Sequence, residues 1–366
     1  MRPSVLLHAV ACSFVWLLAI AAGAQEEKVL NVYNWADYIG PTTLAEFEAE
    51  TGIRVNYDTY DSSETVEAKL LAGSTGYDVV FHSGEFAARL IPLGVFRSLD
   101  RTRIRNWRDL DPEVMGAMAG FDAGNLHSAP YMWGSTGFAY DVERIRERLP
   151  DAPVESAAML FDPEVVKHFA DCGVSLLGSA SDVIPMALLH LGEDPNSTDP
   201  AVLARAVEVL QAVRPYIKYY GSNRMLTDLP NREVCVAMSW SGDYATARNR
   251  ATEAGIDIDL AYTVPAEGSL FWYDAMYVPA DAPHPDNAHL FIDFILRPKV
   301  IAAITNKVNY ANAVLTSSPY VTPEILRDPA VYAPRAILDR LQLTYPLPPK
   351  TERLRTRAWA RAKSGI

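Results

Sequence analysis

A chain of 366 residues with 49% hydrophobic and 21% charged side chains has an ordinary globular composition, too long for one compact core and suited to two domains. Acidic residues number 45 and basic residues 33, which excludes the basic surface that nucleic-acid binding requires. A cation is a natural partner for such a chain.

Residues 1–24 read as a secretory signal peptide. Arg2 precedes an apolar run over 10–22 that closes on Ala22-Gly23-Ala24, a small-x-small pattern placing the cut before Gln25. The run is shorter than the roughly 20 residues a spanning helix needs, and no later stretch is apolar enough to span. Cys12 lies inside the run instead of after it, unlike a lipoprotein cysteine. Without Arg2, the leader's one charged residue, 32 basic side chains face 45 acidic ones, a net charge near −13. The two remaining cysteines, Cys172 and Cys235, are bound for an oxidising compartment, where a disulfide is the default pairing. A metal or catalytic thiol is the rival, but two cysteines 63 apart with no CxxC form no recognisable metal site.

The mature chain opens with a short apolar strand over 29–33, followed by Asn34-Trp35-Ala36-Asp37-Tyr38 and the breaker Gly40-Pro41; a helical pattern then begins at Leu44 and Phe47. A second strand is predicted over 53–57. Asp61-Ser62-Ser63-Glu64 carries capping chemistry for a helix that Gly73 closes. A buried strand over 79–81 ends at His82-Ser83-Gly84-Glu85. Strand, helix, strand, helix, strand is the opening of a parallel doubly wound sheet. "APYMWGSTGFAYD", from Ala129, fits a strand crossing from one domain to another. Residues 150–250 repeat the α/β style, with helices over 182–191 and Pro200–Val213 and a strand over 234–240. More strands follow within 257–281. Helices over 287–296, with Leu290, Phe291, Phe294 and Ile295 on its apolar face, and over 299–308 lead into a proline-spaced tail.

Three places set an aromatic within three residues of an aspartate: Trp35-Ala36-Asp37-Tyr38, Trp240-Ser241-Gly242-Asp243-Tyr244 and Trp272-Tyr273-Asp274. Each is read at or near a strand end, where ligands collect in open α/β sheets. A buried tryptophan beside a helix-capping aspartate explains any one of them, Asp243 in particular; the recurrence favours a ligand site. Carboxylates accept charge-assisted hydrogen bonds from ammonium groups at roughly 1.5–3 kcal/mol each. Ring faces attract cations by about 0.5–2 kcal/mol, and each methylene removed from water adds about 0.8 kcal/mol. For a four-carbon diamine gripped at both ends these terms together reach about 7–13 kcal/mol and can exceed the roughly 4–15 kcal/mol lost on association. One end alone does not suffice.

Catalysis finds no constellation. "SWSGD" has Ser239 where a nucleophile elbow needs its first glycine. "GSTG" at 73–76 leads into a strand, whereas a phosphate loop must open a helix. The histidines show no ligand spacing. No enzyme, cofactor or metal is expected.

The chain from Leu30 on resembles the periplasmic polyamine-binding proteins of bacterial ABC transporters, the putrescine and spermidine receptors, and most closely the putrescine type. The likeness rests on "VYNWADYI", "KLLAGSTGYDVV", "PYMWGSTGFAYD", "CVAMSWSGD", "VNYANA" and "RLRTRAWARAKSG". It implies an α/β type II periplasmic-binding fold, with one lobe from 25–133 plus 262–312 and the other from 134–261 plus 313–366. It further implies a polyamine in the interlobe cleft, hinge closure, delivery to an inner-membrane permease, a monomer in the periplasm, and a Cys172–Cys235 disulfide. The family's ligand aromatics fall on Trp35, Tyr38, Trp240, Trp272 and Tyr310, and its ammonium-binding acids on Asp182, where this chain replaces a glutamate, Asp243 and Asp274. Asp37 and Ser83 match pocket positions of lesser role. Three pocket positions depart from the putrescine type: Ala36 replaces a serine, Trp272 replaces a phenylalanine as in spermidine receptors, and Glu85 replaces a small polar residue. Glu85 is expected either as a third pocket acid, admitting a third nitrogen or a guanidinium, or as a residue turned to solvent or paired with Arg89. A sensor for another cationic amine, such as agmatine or cadaverine, is the alternative to uptake.

Overall fold

The computed structural model describes residues 26–60 and 63–365. The leader and Asp61-Ser62 of the expected helix cap lie outside them. Strand β1 (Val29–Trp35) is flanked in parallel by β2 (Arg54–Tyr60) and β3 (Val79–Ser83), joined through helices Thr43–Thr51 and Ser63–Ala72. Each of these strands runs past the end predicted from its apolar residues, because the ladder continues into polar sequence as far as Trp35 opposite Tyr60. Two longer strands complete this sheet. The first, β4 (Ser128–Asp141), pairs with the second, β9 (Ser269–Tyr277), which itself lies antiparallel to β3; the two-residue β10 (Ala311–Asn312) borders β4.

β4 is the crossing strand. All fourteen of its residues are buried, residues 128–135 pairing with β9 and residues 136–141 with β7 (Val236–Trp240) and β8 (Leu260–Thr263). On the far side β7 continues in parallel to β5 (Val174–Leu176) and then β6 (Ile217–Tyr220). Two α/β lobes therefore share one continuous strand, which fixes where their sheets meet. Cys172 and Cys235, with Cα atoms 5.6 Å apart, form a disulfide between the approach to β5 and the start of β7, inside the second lobe.

The second and third crossings lie later than the sequence reading put them. Tyr262 stands opposite Ala139 on the second half of β4, so the chain returns to the first lobe between Thr263 and Ser269 and not at 261/262. Past Asn312, Val314 bridges Leu110 and residues 315–320 lie against helix Pro298–Val308, so the chain stays on the first lobe beyond 312. It then passes through β11 (Leu341–Leu343), parallel to the start of β9. The proline-spaced tail ends in a sixteen-residue helix, Pro349–Ser364, with Pro349 in its first turn and left-handed Gly365 closing it. Ala358, Trp359 and Ala362 bury one face of this helix against helices Ala180–His190 and Pro200–Val213.

Candidate functional site

A cavity of about 400 Å³ opens where the two sheets meet, within the size range of small-molecule sites. Its aromatic walls come from both lobes. Trp35 ends β1 and Tyr38 follows it, Tyr310 precedes β10, and Trp240 ends β7. Trp272 lies mid-strand in β9 and not at a strand end as the sequence pattern indicated, because β9 runs on through ladders with both β3 and β4. The rings are held edge to face: Tyr310 stands 5.1 Å from Trp272 and 5.6 Å from Tyr38, centroid to centroid. Two glycines make this arrangement possible. A Cβ on Gly134 would sit 2.6 Å from the Trp272 ring, and one on Gly242 would sit 2.5 Å from the Tyr310 ring.

Three carboxylates face the cavity. Asp274 lies on β9, with only 7% of its surface exposed; Asp182 and Asp243 occupy the first turns of helices Ala180–His190 and Ser241–Glu253, where a carboxylate is favoured by the helix dipole. Their hydrogen-bond donors are neutral. Thr136 Oγ1 (2.9 Å) and Trp240 Nε1 (3.1 Å) donate to Asp182 Oδ1, and Tyr310 donates its hydroxyl proton to Asp243 Oδ1 at 2.6 Å. Tyr38 and Trp35 flank Asp274 and favour its ionised form, although neither the Tyr38 hydroxyl nor the Trp35 indole N–H closes a hydrogen bond in this conformation. Burial dominates all three. It pushes Asp274 up to about 7 and Asp243 to about 6, and raises Asp182 against its side-chain donors. Arg355 eases this for Asp182 and Arg250 for Asp243, neither in contact with the carboxylate it affects among the described residues. Such a site lacks one component, a positive charge.

Glu85 differs from the three aspartates. It lines the cavity, but Arg355 of the last helix meets it at 3.3 Å and the Thr344 hydroxyl donates to it at 3.2 Å. The acid is neither unpaired nor turned to solvent, and Arg89 is not its partner: Arg89 bonds Glu67 at 2.8 Å. Burial nonetheless pushes Glu85 up to about 7. Asp37 is the one candidate that the cavity does not gather. It sits in the turn after β1 with φ at +56°, exposed, and is not part of the lining. Ala36 and Ser83 do line the cavity, Ser83 as the extended residue preceding helix Gly84–Leu90. Arg355 and Thr344 were not singled out in the sequence. A signal for Arg355 was present, since Ala358, Trp359 and Ala362 in "RLRTRAWARAK" keep helical spacing between a proline and a glycine.

The profile described as "Bacterial extracellular solute-binding protein" matches residues 42–333. The chain belongs to this family. Among curated relatives, the solute-binding protein is 41% identical over 353 residues to "Putrescine-binding periplasmic protein PotF" of Escherichia coli K12, covering 95% of each chain. It is 42% identical over 348 residues to a "Putrescine/agmatine-binding protein" of Pseudomonas aeruginosa, covering 95% of each. Among solved structures, the substrate-binding protein PotD of a Streptococcus pneumoniae spermidine/putrescine ABC transporter superposes with a TM-score of 0.78 at 28% identity, over 92% of this chain and 98% of that one. Membership in this family makes the chain a solute-binding protein and not an enzyme.

Proposed function

We propose that this solute-binding protein captures a polyamine of the putrescine class in the periplasm, closes its two lobes over it and delivers it as a monomer to the permease of an ABC transporter. Export through a cleaved leader at residues 1–24 is part of the same reading. The observation that carries it is the set of three cavity carboxylates, Asp182, Asp243 and Asp274, none of which contacts a cation among the described residues. An ammonium at each end of an aliphatic chain supplies the absent charge, while the methylenes lie against Trp35, Trp240, Trp272 and Tyr310. The names borne by the relatives, putrescine- and spermidine-binding proteins, point to the same ligand class.

Asp274 belongs to the first lobe and Asp182 and Asp243 to the second, so a two-ended amine bridges the lobes and a one-ended amine does not. Closure then follows from the ligand's preference for the state in which both ends are held. Ala36 and Ser83 shape the same lining, and Tyr38 flanks Asp274. Calorimetric titration with putrescine, cadaverine, agmatine and spermidine tests the proposal. Saturable binding of at least one diamine is expected, with agmatine included because a relative named for it is 42% identical; heat no greater than dilution for all four amines would overturn it.

A further inference from the structure

The last helix reaches across the cleft at one point. Helix Pro349–Ser364 rests on the second lobe, where Trp359 Nε1 donates to the Gly178 carbonyl at 3.2 Å, yet its Arg355 ends on Glu85, which opens a helix of the first lobe directly after β3. Only 3% of the Arg355 side chain and 14% of the Glu85 side chain are exposed. A second carboxylate, Glu352, holds the same Arg355 Nη2 at 3.0 Å from within the helix. Thr344, between β11 and that helix, donates to the other Glu85 oxygen. Asp182 lies close enough to Glu85 to raise its proton affinity, and Arg355 lowers that of both.

We propose that Arg355 is a built-in cation set behind one end of the cleft, neutralising the cavity-lining Glu85 and so restricting the preferred ligand to an amine with two charged ends. The inference rests on the polyamine reading above and assigns specificity within it. Cavity walls carrying Glu85 and Asp182 without Arg355 would offer an anionic pair to a third ammonium, as in a triamine. With Arg355 in place Glu85 is already paired from behind, and a third ammonium beside it feels the repulsion of a guanidinium whose charge is fixed at any physiological pH. The ion pair also joins the lobes independently of ligand, so a longer amine must break it before it can extend past Asp182. Breaking one side of a buried pair is costly, since it leaves the other charge unanswered.

Arg355→Gln and Glu85→Gln test this, measured as the ratio of putrescine to spermidine affinity by titration calorimetry, with circular dichroism confirming the fold. In R355Q the ratio should move toward spermidine by about tenfold or more, because Glu85 becomes available to a third ammonium. In E85Q it should move the other way, because Arg355 then stands with only Glu352. The double variant R355Q/E85Q should return toward the wild-type ratio. Should R355Q fail to fold, E85Q and the double variant decide the matter by the same ratios. A folded E85Q with the wild-type ratio overturns the inference while leaving the receptor reading intact; wild-type protein that binds neither amine overturns both.

Discussion

At the scale of single residues the site is a set of carboxylates in neutral company. Asp274 is the sharpest case: it is nearly buried, faces neutral aromatic donors, and titrates at about 7 because burial disfavours its charge. Asp274→Asn keeps the side-chain shape and leaves the backbone pairing of β9 untouched. It should weaken diamine binding by about 2–5 kcal/mol by leaving a desolvated ammonium without its anion; near-native affinity by calorimetry would remove Asp274 from the site. A pH dependence follows with a definite sign. A bound cation favours the ionised carboxylates, so amine affinity should rise as pH passes upward through about 6 and about 7, the values to which burial pushes Asp243 and Asp274. Ligand-free stability should move in the opposite sense. The folded protein retains protons that the unfolded chain releases near pH 4, so the contribution of these groups is full below about pH 4 and lost as pH rises through about 7. Melting temperatures with and without putrescine, between about pH 5 and about 8, should diverge as pH rises; parallel curves would contradict the account.

At the scale of elements, the strands, the crossing segment and the aromatic–acid clusters at Trp35, Trp240 and Trp272 were legible from local chemistry, as continuous apolar runs for strands with an aromatic and an acid beside them, whereas Ser83, Glu85, Asp182 and Tyr310 were legible only through the family resemblance. Asp37 was misplaced because its neighbours Trp35 and Tyr38 do enter the cavity, and only the left-handed turn at Asp37, invisible in the sequence, carries it to solvent. Trp272 was misplaced along its strand because β9 serves two ladders and so outlasts the acid that reads as its end. Arg355 was missed for a different reason. A charged residue in a polar helix reads as solvated; its spacing with Ala358, Trp359 and Ala362 puts it on the buried face, but its partner Glu85 lies some 270 residues away in sequence. The disulfide is an element-scale feature confined to the second lobe. The double substitution Cys172→Ser/Cys235→Ser should lower unfolding stability by about 2–4 kcal/mol, read from the urea midpoint; an unchanged midpoint would show that the bridge adds nothing to this lobe.

At the scale of the whole molecule, one strand shared by two sheets sets the cavity between the two lobes, and the acidic excess of the chain draws cations toward it. β4, the strand that crosses between the lobes, is buried along its whole length, so this link is a packed strand and not a loose linker. The central claim is that opposed carboxylates in different lobes hold both ends of one aliphatic dication. Comparing putrescine with butylamine, which has the same four carbons and a single ammonium, tests it most directly. The account predicts that calorimetry will show putrescine binding more tightly by about a hundredfold or more, the equivalent of losing one buried charge pair. Equal affinities, or butylamine binding where putrescine does not, would contradict it.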